Sequence, residues 1–546
     1  MGDREERLIR RLGTLKGDRS QWDSQWESIA RVMHVRRLGF TSQQVPGQRR
    51  NNEIYDSTPM QARRSLASAI DGLLKPKTSR WVATAAEDDD IDNADEAKDW
   101  MREADNLMIN AIYNPLARFQ QASGEVDDDL VSFGTGVLFT GEHPKFTRLQ
   151  FMSRHLAKTY IMLDRDGAPL GVFSCEKMTA HVAAAFFDAR GVEPGKKVRQ
   201  LLTDKKPDEK VEIVHIVIMR TNRDPEKVGV KDMPIASLWI EVSEKELIQE
   251  SGFTSFPFAI PRWDTASGET YGRSPGMIAL PDSNTLQSQG KTLLKAGQHA
   301  VIPPLFAPSD SMSSRARMVS GAINFYDLDA ANQSRMANPI FPLNTGANMP
   351  IGREMQQDTR DLIWSAFFRN VLNLPIGGPQ MTATEVIERR EEMIRTIGPV
   401  FGRLESDYLA PVVERVFDIM FRAGAFPAVP KILAGKNIRF EFRSPMEKIR
   451  KQIDALNAQK TVEQASYYAE ATGDTSVFDW LDGDKYMEMV DDANGSDILR
   501  GQQDVDAYRK QKAESQQAEA EAMDVERAMA AGTDVMKAIP NLAGAA

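Results

Sequence analysis

Gly290-Lys291-Thr292 resembles the end of a phosphate-binding loop, in which backbone N–H groups and a lysine cradle phosphates. That motif requires a glycine five residues before Gly290, and Thr285 stands there instead. The tripeptide also falls inside a helical pattern, where the backbone N–H groups are already used. The sequence therefore predicts no nucleotide site at this position.

Two acidic stretches have residue types that can bind a divalent cation. Asp88, Asp90 and Asp92 begin like a calcium loop, but the glycine and the glutamate that such a loop requires further on are missing. Asp127-Asp128-Asp129 places three carboxylates side by side, for which mutual repulsion on a solvated surface is the commoner outcome. We expect no metal site at either stretch.

The remaining catalytic patterns are also incomplete. The six histidines are scattered without metal-ligand spacing, and the single cysteine, Cys175, is typical of a buried, inert thiol. Gly134-x-Gly136 precedes a strand pattern instead of following one, so it is not a dinucleotide fingerprint. We expect no catalytic, cofactor-binding or metal-binding residue, and hence no enzyme.

Composition indicates a soluble chain of several domains, with 546 residues, 41% hydrophobic and 27% charged. The net charge of −10 is unevenly distributed. Residues 1–80 have sixteen Lys/Arg and nine Asp/Glu (+7), whereas residues 87–129 have three and fourteen (−11), and residues 470–526 have five and sixteen (−11). Such blocks either pair between neighbouring copies or are solvated faces. We find no apolar run long enough to span a bilayer.

Hydrophobic periodicity predicts an α+β protein that is mainly α-helical. A helix with Trp22 and Trp26 on one face comes first, and a kinked helix over 383–422 contains Pro399 and Pro411. The other predicted elements are a helix beginning at Pro59 with Ser57 or Thr58 as cap, a helical stripe over 100–112, a hairpin over 160–173, a helix over 176–190, strands over 211–221 and 236–243, helices over 282–300 and 353–373, and an irregular segment over 327–352.

Five segments, in this order along the chain, resemble the head-to-tail connecting portal proteins of short-tailed bacteriophages. They are the helix with Trp22 and Trp26, Tyr55-Asp56-Ser57-Thr58-Pro59, Phe133-Gly134-Thr135-Gly136, Tyr271-Gly272-Arg273-Ser274-Pro275-Gly276 and Met381-Thr382-Ala383-Thr384-Glu385-Val386. The resemblance covers residues 20–445, and the C-terminal hundred residues match by helical character alone.

The resemblance implies a dodecameric ring around a DNA channel, with a protomer made of wing, stem, clip and crown. By order along the chain, the expected parts are a wing over 1–175 and 301–445, stem helices over 176–190 and 271–300, a clip over 191–270, a channel loop over 327–352 and the long kinked helix over 383–422 within the wing, and crown helices with a disordered tail over 446–546. The wing and clip are expected to be rich in β-strands.

The same resemblance implies a portal that sits at one capsid vertex of the virion and is assembled in the host cytoplasm. Its implied partners are double-stranded DNA, the large terminase, a tail adaptor, the major capsid and scaffolding proteins and other copies of itself, and no membrane. The residues expected to face the channel or its DNA are Lys291, Lys295, Arg335, Met336, Phe341, Met349 and Arg353. For each charged residue among them, an ordinary exposed or inter-subunit charge is the alternative.

Two other functions stay open at this point. A tail-tube or scaffold protein without DNA in its lumen would lack the irregular segment before the long kinked helix. A packaging-associated nuclease would require clustered acidic metal ligands on strands, and the sequence has no such pattern.

Overall fold

The structure is a computed structural model. It describes residues 2–43, 45, 47–77, 80–88, 94–143, 148–221, 223–224, 229–308, 317–326, 340–343, 346, 348–372, 383–442, 445–494, 505 and 507–516. The chain forms two compact units, Met1–Glu447 and Lys448–Ala546. Residues 89–93 of the calcium-like stretch, Met381 and Thr382 of the last motif, and the tail from 517 onward lie outside the described residues.

Helices form most of the regular structure of the first unit. They are α1 (Gly2–Asp18), α2 (Ser20–Val32), α3 (Thr58–Leu74), α4 (Asp95–Ile112), α5 (Phe119–Phe133), α6 (Ala180–Asp188), α7 (Lys196–Thr203), α8 (Pro275–Ile278), α9 (Leu280–Val301), α10 (Met349–Ala366), α11 (Arg369–Leu372), α12 (Ala383–Leu404) and α13 (Ala410–Arg422). The expected α+β, mainly helical class is confirmed. No described helix is long and apolar enough to cross a membrane.

Four small sheets accompany these helices. Their strands are β1 (Val82–Ala86), β2 (Leu138–Glu142), β3 (Leu149–Ser153), β4 (Thr159–Leu163), β5 (Pro169–Thr179), β6 (Lys210–Met219), β7 (Ile235–Glu241), β8 (Glu246–Phe253), β9 (Phe258–Ala259), β10 (Leu305–Pro308), β11 (Ile323–Tyr326), β12 (Phe341–Pro342) and β13 (Ile438–Phe442). The sheet orders are β1-β13, β3-β2-β9, β4-β5-β6-β7-β8 and β11-β10-β12. Only the pairing of β10 with β11 is parallel among these described strands.

The five-stranded sheet packs against helices on both faces, and successive side chains of a strand contribute to opposite sides. Phe173, Val214 and Leu238 pack with Leu12 of α1 on one face. The opposite face, which includes Ile213 and Trp239, packs against α6 and α7. The hairpin expected over 160–173 is confirmed as β4 and β5, and the two expected strands are confirmed as β6 and β7. Strand β8 was not predicted.

The helix expected over 176–190 requires correction. Residues 176–179 continue β5 and pair with residues 210–213 of β6, so the helix begins only at Ala180 and ends at Asp188. Each of these residues gains a cross-strand partner by staying extended, which outweighs a local preference for helix. The strand therefore runs through the wing and stem boundary that the sequence suggested at 175 and 176.

The segment expected to be irregular over 327–352 also requires correction. Helix α10 begins at Met349, because the side chain of Asn348 accepts a hydrogen bond from Ile351 N–H at 3.4 Å and Pro350 suits the first turn. The helix therefore starts four residues before the expected Arg353. Residues 327–339, with Arg335 and Met336, lie outside the described residues.

The long helix over 383–422 is present but differs in its interruption. It runs through Pro399 without a break, and a π-helical turn over Glu405–Leu409 joins α12 to α13 just before Pro411. Proline has no N–H to continue the regular ladder, so a wider turn forms beside it. Tyr408 within that turn is fully buried, as are Leu404 and Val412 to either side.

The second unit contains most of α14 (Pro445–Thr472), a 3₁₀ turn over Thr475–Trp480 and α15 (Gly483–Asn494). Arg509, from a further helical stretch, donates hydrogen bonds to both carboxylate oxygens of Asp484, at 2.7 and 2.5 Å. Large aromatic side chains of this unit are exposed, with Trp480 at 90% and Tyr467 at 75%.

Candidate functional site

The tryptophan helix meets two other motif segments through aromatic contacts. Trp26 of α2 is fully buried, and its Nε1–H donates a hydrogen bond to the backbone oxygen of Phe133 at 3.0 Å. The ring of Tyr271 stands perpendicular to Trp26 with 5.1 Å between ring centroids. Trp22 lies 5.9 Å from the same Tyr271 ring. The sequence segments around 26, 133 and 271 therefore share one buried junction.

Two glycines allow the backbones at this junction to touch. A Cβ on Gly134 would lie 2.2 Å from the carbonyl oxygen of Gly272, and a Cβ on Gly272 would lie 2.3 Å from that of Gly134. Gly134 also has a φ of +81°, at the C-terminus of α5. Gly272 N–H donates to Thr135 Oγ1 at 2.8 Å, and Trp263 N–H donates to Gly134 O at 2.9 Å. A side chain at either glycine would separate the two segments.

Ser274 ends this junction by starting a helix. Its Oγ donates to the carbonyl oxygen of Ser132 at 2.7 Å and accepts from Met277 N–H at 3.0 Å, so it caps α8. A Cβ on Gly276 would lie 2.6 Å from Ser132 O, which requires a glycine there as well. The Tyr-Gly-Arg-Ser-Pro-Gly segment therefore serves close packing and capping.

The Tyr55-Asp56 segment holds three helices together. Gln287 of α9 accepts hydrogen bonds from both Tyr55 N–H and Asp56 N–H, at 2.7 and 2.9 Å, and donates to Asp56 O at 2.7 Å. Arg360 of α10 donates to Asp56 Oδ2 from two nitrogens, at 3.0 and 2.8 Å. The helix cap expected from Ser57 or Thr58 is instead Asp56, which accepts from Thr58 N–H at 2.8 Å. Burial opposes the charge of Asp56, but the bonds from Thr58 and Arg360 outweigh it and lower its pKa.

The glycine of the phosphate-loop-like tripeptide has a packing role. Gly290 lies in the middle of α9, where a Cβ would be 3.0 Å from Cβ of Tyr55. The Thr292 hydroxyl donates to Ser288 O of its own helix at 2.9 Å. The neighbouring Lys291 is exposed. The glycine is therefore explained by the close approach of the Tyr55 segment.

Helices α9 and α10 pack side by side in opposite directions. Gln289 accepts a hydrogen bond from Thr359 Oγ1 at 3.3 Å, which joins the middle of α9 to the later part of α10. At the other end, Met349 Cε lies 3.7 Å from the position that a Cβ on Gly297 would take. The two helices form an antiparallel hairpin, which we call the α9–α10 hairpin.

The acidic triplet on α5 is not a solvated cluster. Asp127 is buried and pairs with the buried ammonium group of Lys75, Asp129 pairs with Arg37 at 2.9 Å, and Asp128 pairs with Arg63 at 2.8 Å. Each carboxylate thus has its own cation, so the expected surface repulsion was wrong. Burial raises the pKa of Asp127 to about 6 and that of Asp129 to about 7, against the opposing effect of Lys75 and Arg37.

The described residues expected to face the channel lie on three elements. Lys291 and Lys295 are exposed on α9, and Arg353 is exposed on α10. Phe341 of β12 is half-buried and stacks on Phe306 of β10, with 5.4 Å between ring centroids. Met349 is half-buried at the start of α10. Whether any of them faces DNA stays a prediction.

Several central residues gave no signal in the sequence. Arg19 is 1% exposed, donates to the carbonyl oxygens of Leu156, Ala157 and Thr159 and lies 3.8 Å from the Tyr160 ring centroid. It sits among other cations in a basic helical pattern, so nothing in the sequence distinguishes it. Gln287 and Arg360 were also missed, because their hydrogen-bond partner Asp56 is distant along the chain.

In the described part of the chain, the motif residues pack backbones together, cap helices and neutralise buried charge. The sequence profile of the family described as Bacteriophage head to tail connecting protein matches residues 5–498. The chain therefore belongs to this family, and its function is that of a phage portal protein.

Two phage proteins agree with this family. The chain is 27% identical to the portal protein of Salmonella phage epsilon15, with 99% of this chain and 98% of that protein covered. It is 28% identical to the probable portal protein of Bordetella phage BPP-1, with 95% and 93% covered. A solved structure of the neck of an empty GTA particle matches at a TM-score of 0.38 and 11% identity, with 83% of this chain and 97% of that chain covered.

Proposed function

We propose that twelve copies of the chain form a closed ring at one capsid vertex, and that double-stranded DNA passes through its centre during packaging and ejection. The observation that carries this proposal is the family match over residues 5–498. The exposed apolar side chains of the protomer support ring formation, because contiguous exposed apolar surface typically marks association. On α10 these are Ile351, Met355 and Leu362, which follow one another at helical spacing and are each more than half exposed.

We further propose the division into ring parts that the order of elements suggests. We place the whole sheet of β4 to β8, with α6 and α7, in the clip, which then begins before the expected residue 191. Helix α9 is a stem helix. Residues 446–546 form the crown, and the channel loop lies over 327–348, ending where α10 begins. Within that loop, Arg335 and Met336 are proposed to touch DNA without reading its sequence, as phosphate contacts do.

The proposed partners follow from this arrangement. The clip docks the large terminase during packaging and a tail adaptor afterwards, while the wing contacts the major capsid and scaffolding proteins. The chain itself has no ATPase or nuclease activity, so that the energy for packaging comes from the docked motor. The ring is assembled in the host cytoplasm and ends in the virion.

Native mass spectrometry and negative-stain electron microscopy of the purified chain test the ring. We expect a closed oligomer of about 730 kDa, twelve times the 61.0 kDa chain, with a central hole. Only monomers at micromolar concentration would contradict the ring. If virions with residues 334–339 deleted keep closed rings but package no DNA, DNA passage is supported. Normal packaging by the same deletion would favour a structural role without DNA contact in this loop.

A further inference from the structure

The outer face of α9 is basic and unpartnered. Lys291 and Lys295 are one helical turn apart and exposed, and neither forms an ion pair with another described residue. Leu294, between them in sequence, is 57% exposed. The face turned toward α10 contains Leu293 and Gly297, so the two lysines point away from the α9–α10 hairpin.

The outer face of α10 is acidic and apolar. Its exposed residues include Glu354, Asp358 and Asp361, and neither Glu354 nor Asp358 forms an ion pair with a described residue. Beside them run three exposed apolar side chains at helical spacing, namely Ile351 at 52%, Met355 at 54% and Leu362 at 58% exposure.

Helical geometry places these two faces on opposite edges of the hairpin. Gly352 and Thr359 of α10 face α9. At about 100° per residue, Glu354 and Asp361 therefore point away from α9. The exposed cation Arg353 lies off this face, because it is the residue next to Glu354 and is turned by about 100° from it around the helix.

The hairpin thus has a basic edge on α9 and an acidic, apolar edge on α10. Two edges of opposite charge on one protomer fit a head-to-tail contact, in which each copy uses a different edge toward each neighbour and the contacts close into a ring. Complementary charge fixes the register of such a contact, and the apolar side chains supply area to bury.

We propose that the lysine edge of α9 in one copy docks on the acidic edge of α10 in the next copy. The inference rests on the proposed ring and names one of its lateral contacts. It places Lys291 and Lys295 between subunits instead of on a DNA-facing wall, which is the alternative that the sequence left open.

Charge reversal tests the contact with three full-length proteins. The first variant carries Lys291→Glu and Lys295→Glu, and the second carries Asp358→Lys and Asp361→Lys. The matched control carries Lys431→Glu and Lys436→Glu, which changes the net charge as much as the first variant at two exposed lysines away from the hairpin. The readouts are ring mass by native mass spectrometry and helix content by circular dichroism.

Each hairpin variant alone is expected to need roughly tenfold or more protein to assemble, because like charges then face each other. An equimolar mixture of the two hairpin variants is expected to assemble near the wild-type concentration. Every contact in an alternating ring then joins opposite charges again, and a ring of twelve can alternate. A folding defect in either variant would not be repaired by mixing.

Each outcome decides the matter. Assembly of either hairpin variant alone at the wild-type concentration would overturn the contact, and so would a mixture that fails although both variants are folded. Failure of the Lys431 and Lys436 control would show that net charge governs assembly, and would also overturn it. If the wild-type chain itself forms no ring, the proposed function fails together with this inference. The wild-type protein alone therefore tests the ring, and the variants test only the contact.

Discussion

The acidic triplet of α5 and the acidic edge of α10 each place three carboxylates on one helix but have opposite surroundings. Asp127 and Asp129 are 1% exposed and each has a cation from a distant segment. On α10, Glu354 and Asp358 are exposed and have no ion pair with a described residue. A buried charge must be neutralised within its own protomer, whereas an exposed charge is available to a neighbouring copy. The difference separates charges that hold the fold from charges that can direct assembly.

Removing the cation of the buried pair gives the largest expected effect. Lys75→Met leaves Asp127 buried without its partner and should lower the free energy of unfolding by about 3–5 kcal/mol. Lys75 also lies 5.1 Å from the ring centroid of Tyr408, so methionine keeps part of the packing. Urea unfolding followed by tryptophan fluorescence measures the change.

The exposed lysine supplies the matched control. Lys291→Met should change the same free energy by no more than about 0.5 kcal/mol, because an exposed side chain without partners adds little to the fold. Adding Asp127→Leu to Lys75→Met should recover much of the loss, since an apolar pair can replace a buried ion pair. Equal losses of stability at Lys75 and Lys291 would show that the buried charge pair contributes no more to the fold than an exposed lysine does.

The glycine junction should be the next most sensitive place. Gly134→Ala puts a Cβ 2.2 Å from Gly272 O at a φ of +81°, and should cost about 3 kcal/mol of stability. Gly424→Ala is the control, because Gly424 has a φ of +65° but open space around its Cβ position. Conformational strain alone should cost about 1–2 kcal/mol there. Equal losses in the two variants would mean that the approach of Gly272 contributes nothing.

The sequence predicts elements well where the pattern lies within the element itself. The stripe over 100–112 is confirmed as α4, with Trp100, Ala104 and Met108 buried, because helical periodicity lies within the segment itself. The strand pattern expected after Gly134-x-Gly136 is also confirmed as β2, since it too is read from neighbouring residues. These features depend on residues that are neighbours along the chain.

The sequence fails where distant segments decide the outcome. The cations that neutralise α5 are 52 to 92 residues away in sequence, so the triplet has the same local pattern as a solvated face. Residues 176–179 extend a strand because β6 is there to pair with them. The role of Gln287 and Arg360 depends on where Asp56 lies in the folded chain. Burial and pairing over such distances have no local signal.

The smallest expected effect is a difference in pH dependence between buried and exposed carboxylates. Burial raises the pKa of Asp129 to about 7, whereas an unfolded aspartate titrates near 3.9. Between those values the folded chain holds a proton that the unfolded chain has released. The contribution of Asp129 to stability is therefore fully present below about pH 4 and is lost as the pH rises through about 7. Asp127, whose pKa is raised to about 6, acts in the same direction.

The buried histidines act in the opposite direction, so the wild-type curve alone cannot separate the groups. Burial lowers the pKa of His155 to about 3 and those of His34 and His215 well below the ordinary value, which favours folding at higher pH. Comparison with Asp129→Asn cancels the histidine contributions. The stability difference, wild type minus variant, should be larger at pH 5 than at pH 8.

Asp418→Asn provides the contrast for this measurement. Burial opposes the charge of Asp418, but hydrogen bonds from Thr254 and Ser255 outweigh it and hold its pKa below the usual value. Its carboxylate is therefore ionised in both folded and unfolded chains from pH 5 to pH 8, and the same difference should stay flat. If the Asp129 difference is also flat across this range, Arg37 keeps Asp129 ionised in the folded chain, and the buried site is neutralised by its ion pair throughout.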